Sequence, residues 1–279
     1  QEVPLRYALI VPERFFLETN GLHTEVSYHL SKLCAHDGHQ LYSLALSREQ
    51  ERALRLPEPL GRVLFDGIFL LGEVEGPYLR ALCEKQAADL VAIDFAPERA
   101  PVDSVRVDNY DLGFRAARFL LEKGHRRIGY LGEVKNEVRF DAYMDFMLER
   151  ELPFSEEYIY ESALTMENGY FGIKRMFASP RLPTAVFCAN DISAIGAVKA
   201  IREFGLHIPQ DISVISIDNI QESQETKPML TTIDIPKKEM AHHAVLLLLD
   251  QIHGGHKDAV RMELPCRLIV RESCSWSAR

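Results

Sequence analysis

The chain has 279 residues, of which 47% are hydrophobic and 26% are charged, and it is long enough for one large or two medium domains with buried cores. Its formal net charge of −9 argues against DNA binding by this chain alone. The longest apolar run, 244–249, is too short to span a bilayer, and the N-terminus lacks a signal-peptide pattern.

Short apolar runs alternate with stretches of helical spacing along the chain. The predicted strands are 6–12, 40–46, 65–72 and 88–95 in a first series, and 127–132, 158–162, 184–190 and 212–219 in a second. Helices are predicted after residue 20, near 76–88, at 109–123, 137–151 and 167–178, after Asn190, and at 236–254. This alternation is typical of parallel sheets with helices on both faces, and the two series predict two similar lobes.

Glycine follows three predicted helices, at Gly124, Gly205 and Gly254, which is a C-cap signature. The last of these belongs to the sequence HGGH (253–256), which straddles a helix end. His242 and His243 are adjacent, and adjacent side chains on a helix point about 100° apart. Neither pair is well placed to share a metal ion, so solvated or interface histidines are expected, with no metal and no cofactor.

The five cysteines are an odd number with neither a CxxC pair nor a metal-ligand spacing. This favours reduced thiols packed in a cytoplasmic protein over a disulfide framework. The sequence also lacks GxGxxG, GxxxxGK[ST] and GxSxG, so the common nucleotide-binding and hydrolase signatures are missing.

The stretch FCANDISAIGAVKAI (187–201) changes from an apolar strand to an amphipathic helix at Asn190 and Asp191. Asn and Asp are good helix N-caps, so the pair has a structural explanation. Open α/β sheets also bind ligands outside the carboxyl ends of their strands, where this pair is expected to lie. Both roles are compatible, because Asn190 can cap the helix and contact a ligand.

Several motifs in order carry a resemblance: GHRRIGYLG (124–132), AND (189–191), DISVISIDN (211–219), LTTI (230–233) and the closing LPCRLIVRES (264–273). Together they resemble the effector-binding core of lactose-repressor-type (LacI/GalR) transcription regulators. The resemblance is weak over the first 60 residues and strong from 105 to 273. It implies a periplasmic-binding-protein type I fold, with two lobes, three crossovers and a sugar-sized effector in a cleft between them.

The same resemblance implies lobe boundaries, an oligomeric state and a route to DNA. The N-terminal lobe is expected to comprise 1–105 and 236–263, and the C-terminal lobe 106–233 and 264–279. Operator DNA is expected to be bound only through an N-terminal helix-turn-helix head of about sixty residues that this chain does not contain. A homodimer is expected because palindromic operators require two-fold symmetry. The helix at 236–254, apolar on more than one face, is a candidate for burial by a partner.

Four residues match effector contacts of the family. Arg139 matches an arginine that can span vicinal hydroxyls with two hydrogen bonds. Asn190 offers a donor and an acceptor. Asp94 and Asp218, at the carboxyl ends of predicted strands, are acceptors, one from each lobe; the alternative for either is a helix or turn cap.

Other positions depart from the family pattern. The family's first loop often reads NPFF, and the matching residues here are NGLH, which makes Asn20 and His23 further candidates, with Leu164 in the second lobe. An aromatic platform for the ligand could come from Phe15, Phe16 or Tyr170, and each of these could instead be a core residue.

Three classes of function are compared. The leading interpretation is a repressor core that binds a small-molecule effector, a sugar, and has no contact with a membrane. A solute-binding protein of a sugar uptake system shares the fold and is the alternative. An enzyme is the third: Asp94 and Asp218 could form a glycosidase pair, but no His or Ser constellation supports catalysis, so no catalytic residue is predicted.

Overall fold

The structure is a computed structural model that describes residues 3–16, 21–97 and 100–277. The chain forms two compact units. Unit 1 comprises Gln1–Val107 and Pro236–Pro265, and unit 2 comprises Asp108–Ile235 and Cys266–Arg279. The chain therefore passes from one unit to the other three times, as the three crossovers of the predicted fold require.

Strands and helices alternate in both units. The strands among the described residues are β1 (Arg6–Pro12), β2 (Gln40–Leu46), β3 (Gly67–Leu71), β4 (Asp89–Ile93), β5 (Asp103–Arg106), β6 (Ile128–Gly132), β7 (Ile159–Glu161), β8 (Ala185–Cys188), β9 (Ser213–Asp218), β10 (Thr231–Asp234), β11 (Arg261–Glu263) and β12 (Arg267–Ile269). The helices are α1 (Leu22–His36), α2 (Arg48–Arg52), α3 (Gly76–Lys85), α4 (Asn109–Glu122), α5 (Val138–Glu149), α6 (Met166–Met176), α7 (Asp191–Glu203) and α8 (Lys237–Ile252).

Unit 1 contains a six-stranded sheet in the order β11-β5-β4-β3-β1-β2, and all of its pairs are parallel. Every residue of β3 is buried, as is nearly all of β1, because a parallel sheet with both faces covered exposes none of its central strands. The strand order reverses at β1, which pairs with β2 on one side and β3 on the other. Ligands of open α/β sheets bind at the carboxyl ends of the strands beside such a switch point.

Unit 2 repeats this arrangement in the order β12-β10-β9-β8-β6-β7, with β6 at the switch point and only β12 antiparallel among the described strands. Its core clusters around buried side chains of β8, α6 and α7. The predicted fold class, α/β with two parallel-sheet lobes, is confirmed.

Close helix packing in unit 2 depends on glycine. A Cβ added at Gly196 in α7 would lie 1.9 Å from the carbonyl oxygen of Met166, and one added at Gly113 in α4 would lie 2.4 Å from that of Arg139. Both distances are far below any van der Waals contact, so α6 and α7, like α4 and α5, approach at positions that only glycine permits. α5, α6 and α7 begin at the carboxyl edge of the sheet because each follows one of the parallel strands β6, β7 and β8.

The predicted strands and helices are all present, with ends shifted by a few residues. Gly124, Gly205 and Gly254 follow their helices at φ of 84°, 74° and 72°, as their C-cap role requires. Sequence periodicity missed α2, β5, β10, β11 and β12, which have three to five residues each and too few alternations to show a period.

Helix α8 does carry apolar residues on more than one face. One face packs against β3, β4 and β5 and another against α1, all within unit 1. Leu246, with 48% of its surface exposed, is an exception. Since unit 1 itself covers both apolar faces, the burial of α8 gives no indication of a second subunit.

His256 differs from the expected solvated histidine. Its Nδ1 contacts Oδ2 of Asp250 at the end of α8, and its Nε2 contacts Oδ2 of Asp103 in β5. Asp103 is fully buried and also accepts a hydrogen bond from the backbone N–H of Val260 at 2.7 Å. The imidazole therefore joins two carboxylates and ties the end of α8 to β5.

This bridge predicts that the stability of unit 1 depends on pH. Contact with Asp250 raises the pKa of His256 above its usual value, so folding favours the protonated ring. The stabilisation is fully present below the unfolded pKa of about 6.5 and is lost as pH rises through the higher folded pKa. The melting temperature of His256→Gln should therefore fall furthest below the wild type at pH 5.5–6.5, and the gap should narrow towards pH 9.

His253→Gln is the matched control, since His253 belongs to the same turn and is exposed. A gap between wild type and His256→Gln that stays constant across this pH range would contradict the ion-pair explanation.

The five cysteines are free thiols. Burial raises the pKa of Cys34, Cys266 and Cys274 to about 12, and Cys188 is shifted in the same direction for the same reason. These four thiols are therefore protonated and unreactive near neutral pH.

Candidate functional site

The residues proposed to contact an effector lie at the carboxyl edges of the two sheets. In unit 2, Asn190 follows β8 and Asp218 ends β9. The two are level with each other, because each lies three positions beyond the paired residues Phe187 and Ile215. In unit 1, Asp94 directly follows β4.

Asn190 is the N-cap of α7. Its Oδ1 accepts hydrogen bonds from the backbone N–H of Ser193 at 2.9 Å and from the Ser193 hydroxyl. Its Nδ2 points to the carbonyl oxygen of Leu164 at 3.4 Å, a weak contact. The capping role expected for Asn190 is therefore present, and Nδ2 is the part of the amide least engaged by the protein.

Asp191 is structural. It is fully buried, and its carboxylate accepts hydrogen bonds from the Thr232 hydroxyl at 2.7 Å, from the backbone N–H of Ile220 at 2.9 Å and from the Ser216 hydroxyl. Its negative charge also lies at the N-terminus of α7, where the helix dipole favours an anion. Asp191 therefore joins the start of α7 to β9 and β10.

Arg139 lies in the first turn of α5 with only 8% of its surface exposed. Its Nε donates to Oδ1 of Asn109 at 3.0 Å, and its Nη1 donates to the carbonyl oxygen of Ala189 at 2.7 Å. The expected open fork is therefore already engaged in part within unit 2. Because Ala189 precedes Asn190, Arg139 and Asn190 lie next to each other.

Asp218 is 3% exposed and has a φ of 118°, outside the usual range for a non-glycine residue. Leu164 enters this region through its backbone carbonyl, which faces Asn190. Unit 2 thus brings Arg139, Asn190 and Leu164 together directly, and Asp191 links Asn190 to the turn that follows Asp218.

Asp94 pairs with His23 in unit 1. Nε2 of His23 lies 3.0 Å from Oδ2 of Asp94, although the two atoms are not aligned for a hydrogen bond. Oδ1 of Asp94 is buried and has no hydrogen-bond partner among residues 3–16, 21–97 and 100–277. Asp94 also has a φ of 73°. Asn20, a further candidate, lies outside the described residues.

Of the three aromatic candidates, Phe15 contacts this pair. Its ring stacks on that of His23 with centroids 4.3 Å apart and an interplanar angle of 23°. The preceding Arg14 holds this turn in place through an ion pair with the buried Glu51 at 2.7 Å. Of the other two aromatic candidates, Phe16 is exposed, and the Tyr170 hydroxyl donates to Glu203.

Sequence reasoning missed Asn109 and Arg271. It considered Asn190 and Asp191 as helix caps but did not predict the hydrogen bonds that join Asp191 to β9 and β10. Arg271 donates to Oδ1 of Asn219 at 2.5 Å, directly beside Asp218. A charged residue directly after the apolar run LIV (268–270) of the closing segment is the signal that could have drawn attention to Arg271.

Within the described part of the chain, no three His, Cys, Asp or Glu side chains are grouped so that they could hold a metal ion. No helix there is long and apolar enough to cross a membrane. The side chains at the carboxyl edge of each sheet can form hydrogen bonds through carboxylates, an amide, a guanidinium and an imidazole. Such groups can bind a ligand with several hydroxyl or amine groups.

Comparison with known proteins identifies relatives of most of the chain. Residues 117–274 match the periplasmic binding protein-like domain family. The HTH-type transcriptional repressor PurR of Pasteurella multocida is 30% identical over 254 residues, which cover 89% of this chain and 76% of that protein.

Two solved structures share the fold. One is a LacI family transcriptional regulator from Enterococcus faecium with bound ribose, with a TM-score of 0.83 and 23% sequence identity. The aligned region covers 98% of this chain and 99% of that chain. The other is the transcriptional regulator CelR in complex with cellobiose, with a TM-score of 0.82 and 24% sequence identity. The aligned region covers 97% of this chain and 86% of that chain.

These findings favour a regulator over a solute-binding protein of an uptake system, because the similar proteins are named as transcription regulators. They also confirm the periplasmic-binding-protein-like fold. The chain belongs to the LacI/GalR family of transcription regulators and is an effector-binding core of that family.

Proposed function

We propose that the effector of this core is a sugar, recognised by Arg139, Asn190 and Asp218 of unit 2 and by Asp94 and His23 of unit 1. The observation that carries the proposal is the cluster at the carboxyl edge of unit 2, where Arg139 and Asn190 meet at Ala189 and Asp218 lies level with Asn190. Sugars are read by such convergent donors and acceptors. Ribose and cellobiose in two structural neighbours support the same class of ligand.

The effector acts by changing the relative populations of arrangements of the two units. A ligand that contacts both units favours the arrangement it binds more tightly, and it shifts the equilibrium only by that difference in affinity. DNA binding belongs to a helix-turn-helix head outside this chain, and the regulator works in the cytoplasm, where its operator lies. The core is not an enzyme: incubation with the bound sugar should leave that sugar chemically unchanged.

A thermal-shift screen tests the sugar proposal. Ribose, glucose, galactose, cellobiose, lactose and maltose are the probes, and a true effector at about 100 times its Kd should stabilise the fold by about 2.7 kcal/mol. Asn190→Asp keeps an N-cap acceptor but loses the Nδ2 donor, so its unliganded melting temperature should stay near that of the wild type while the sugar-induced shift falls.

Asn190→Ala loses both the cap and the donor and should lower both quantities. His253→Ala is the control, because this exposed residue is the C-cap of α8 in unit 1 and is not among the proposed effector contacts. A sugar-induced shift of full size in Asn190→Asp, Asn190→Ala and Asp218→Asn alike would reject these residues as effector contacts.

We also propose that the core is a homodimer, with contact along α7. A groove of about 620 Å³ runs beside this helix, and its lining combines apolar Ile195 with the cations Arg202 and Lys227 and the acid Glu225. A surface that carries both charges can pair with its own copy across a two-fold axis. Sedimentation velocity should show a dimer at micromolar concentration that Arg202→Glu weakens; monomer alone in the wild type would count against it.

A further inference from the structure

The turn after β9 is strained at two consecutive positions. Asp218 has a φ of 118° and Asn219 a φ of 53°, and neither residue is glycine. Such backbone geometry costs free energy and persists only where the surroundings hold it in place. The residues that hold this turn therefore decide where the Asp218 carboxylate lies.

Asp191 secures the turn from one side. Its Oδ2 accepts the backbone N–H of Ile220, and its Oδ1 accepts the Thr232 hydroxyl. The same Thr232 hydroxyl oxygen accepts the backbone N–H of Asn219 at 3.2 Å. The backbone on the far side of Asp218 is thus fixed by α7 and β10.

The Asn219 side chain secures the turn from the other side. Its Nδ2 donates to Oδ1 of Asp234 in β10 at 2.9 Å, and its Oδ1 accepts a hydrogen bond from Nη2 of Arg271 at 2.5 Å. The nitrogen and the oxygen of the Asn219 side-chain amide are therefore both engaged, and each hydrogen bond joins Asn219 to a different segment of unit 2.

Arg271 does more than contact Asn219. Its Nη1 donates to the carbonyl oxygen of Leu230 at 2.9 Å and to the Ser223 hydroxyl at 3.3 Å. The planar guanidinium fixes these donors in one fork, which a flexible lysine amine cannot reproduce. Arg271 thereby sets the position of Asn219 relative to the start of β10.

We propose that Arg271 and Asn219 are positioning residues of the effector site: they hold Asp218 in the left-handed backbone conformation in which its carboxylate meets the effector. The inference rests on the proposed role of Asp218 as an effector contact. Arg271 acts through Asn219 on Asp218. Because Asp234 belongs to β10, which leads into the crossover at Pro236, the same bonds connect the effector contact to the strand that leaves unit 2.

A double-mutant cycle on sugar affinity tests the inference. The probe is whichever of the six screened sugars raises the wild-type melting temperature most, and Kd is measured by calorimetry. Arg271→Lys should weaken binding about tenfold, the value of one well-placed hydrogen bond. In an Asp218→Ala background the same change should cost no further affinity, because the contact it positions is already gone.

Asn219→Gly is the second variant, because glycine accepts the positive φ and lacks both side-chain anchors. It should show the same dependence on Asp218 even if Arg271→Lys does not fold. Each variant should lower the unliganded melting temperature by the same amount with and without the Asp218 carboxylate, so the cycle separates positioning from stability.

Equal affinity losses with and without the Asp218 carboxylate would overturn the inference and leave the proposed function standing. A wild-type protein that binds none of the six sugars would overturn the proposed function itself, and the inference with it.

Discussion

Replacement of Gly196 by alanine is expected to lower the free energy of unfolding by about 3 kcal/mol or more, at the upper end of the range for overpacked sites. The added Cβ would lie 1.9 Å from the Met166 carbonyl oxygen and 2.9 Å from the backbone nitrogen of Tyr170. Both are backbone atoms of α6, so no side chain can move aside and the two helices must separate.

Helix propensity opposes this loss, since alanine in a helix is about 1 kcal/mol more favourable than glycine. The steric cost exceeds that gain, so the net change should be strongly destabilising in urea unfolding. Gly61→Ala is the matched control, because no atom lies within 4 Å of the added Cβ and it should stay within about 0.5 kcal/mol of the wild type. An equally small change for Gly196→Ala would contradict the close packing of α6 on α7.

Arg139→Ala is expected to reduce both stability and effector affinity. Loss of the guanidinium leaves Oδ1 of the half-buried Asn109 and the buried carbonyl oxygen of Ala189 without this donor. A buried unsatisfied group such as the Ala189 carbonyl costs about 1–3 kcal/mol. Affinity for the sugar should fall about ten- to hundredfold, because a charged donor to hydroxyls is worth about 1.5–3 kcal/mol. Urea unfolding and calorimetry measure the two effects separately.

Tyr143→Phe is the control for stability alone. Tyr143 lies one turn beyond Arg139 in α5. Its hydroxyl donates a hydrogen bond to the carbonyl oxygen of Ile128 at 2.7 Å. Its loss should lower the free energy of unfolding by about 1 kcal/mol and leave Kd unchanged. If Arg139→Ala also kept the wild-type Kd, Arg139 would be a structural residue only.

The main strands could be predicted from the sequence because their burial is local and apolar. β3 and β8 are entirely buried runs of apolar residues and glycine, and their lengths separate them from helices. β5 could not be predicted in this way, because its fully buried Asp103 and Ser104 read as a turn. Asp103 is satisfied by His256 and Val260, which are 153 and 157 positions away.

Some features of the candidate site could likewise be predicted from the sequence, and others could not. Resemblance to a family was enough to select Arg139, Asn190 and Asp218, and the N-cap role of Asn190 follows from local sequence preferences alone. The burial of Arg139 does not, because its partners Asn109 and Ala189 are 30 and 50 positions away. Nor could the strained backbone at Asp218 be read from SIDN, since an Asp at a strand end usually adopts an ordinary turn.

The interleaved path of the chain has a consequence for its synthesis. When the ribosome has released the chain up to Val107, β1 to β5 exist, but α8, which covers β3, β4 and β5, has not been made. Unit 1 receives its last residues only at Pro265, and unit 2 then still needs β12 and the segment that carries Arg271. The two units are completed almost together, so a ribosome that stops between residues 108 and 265 leaves both units unfinished rather than one finished and one missing.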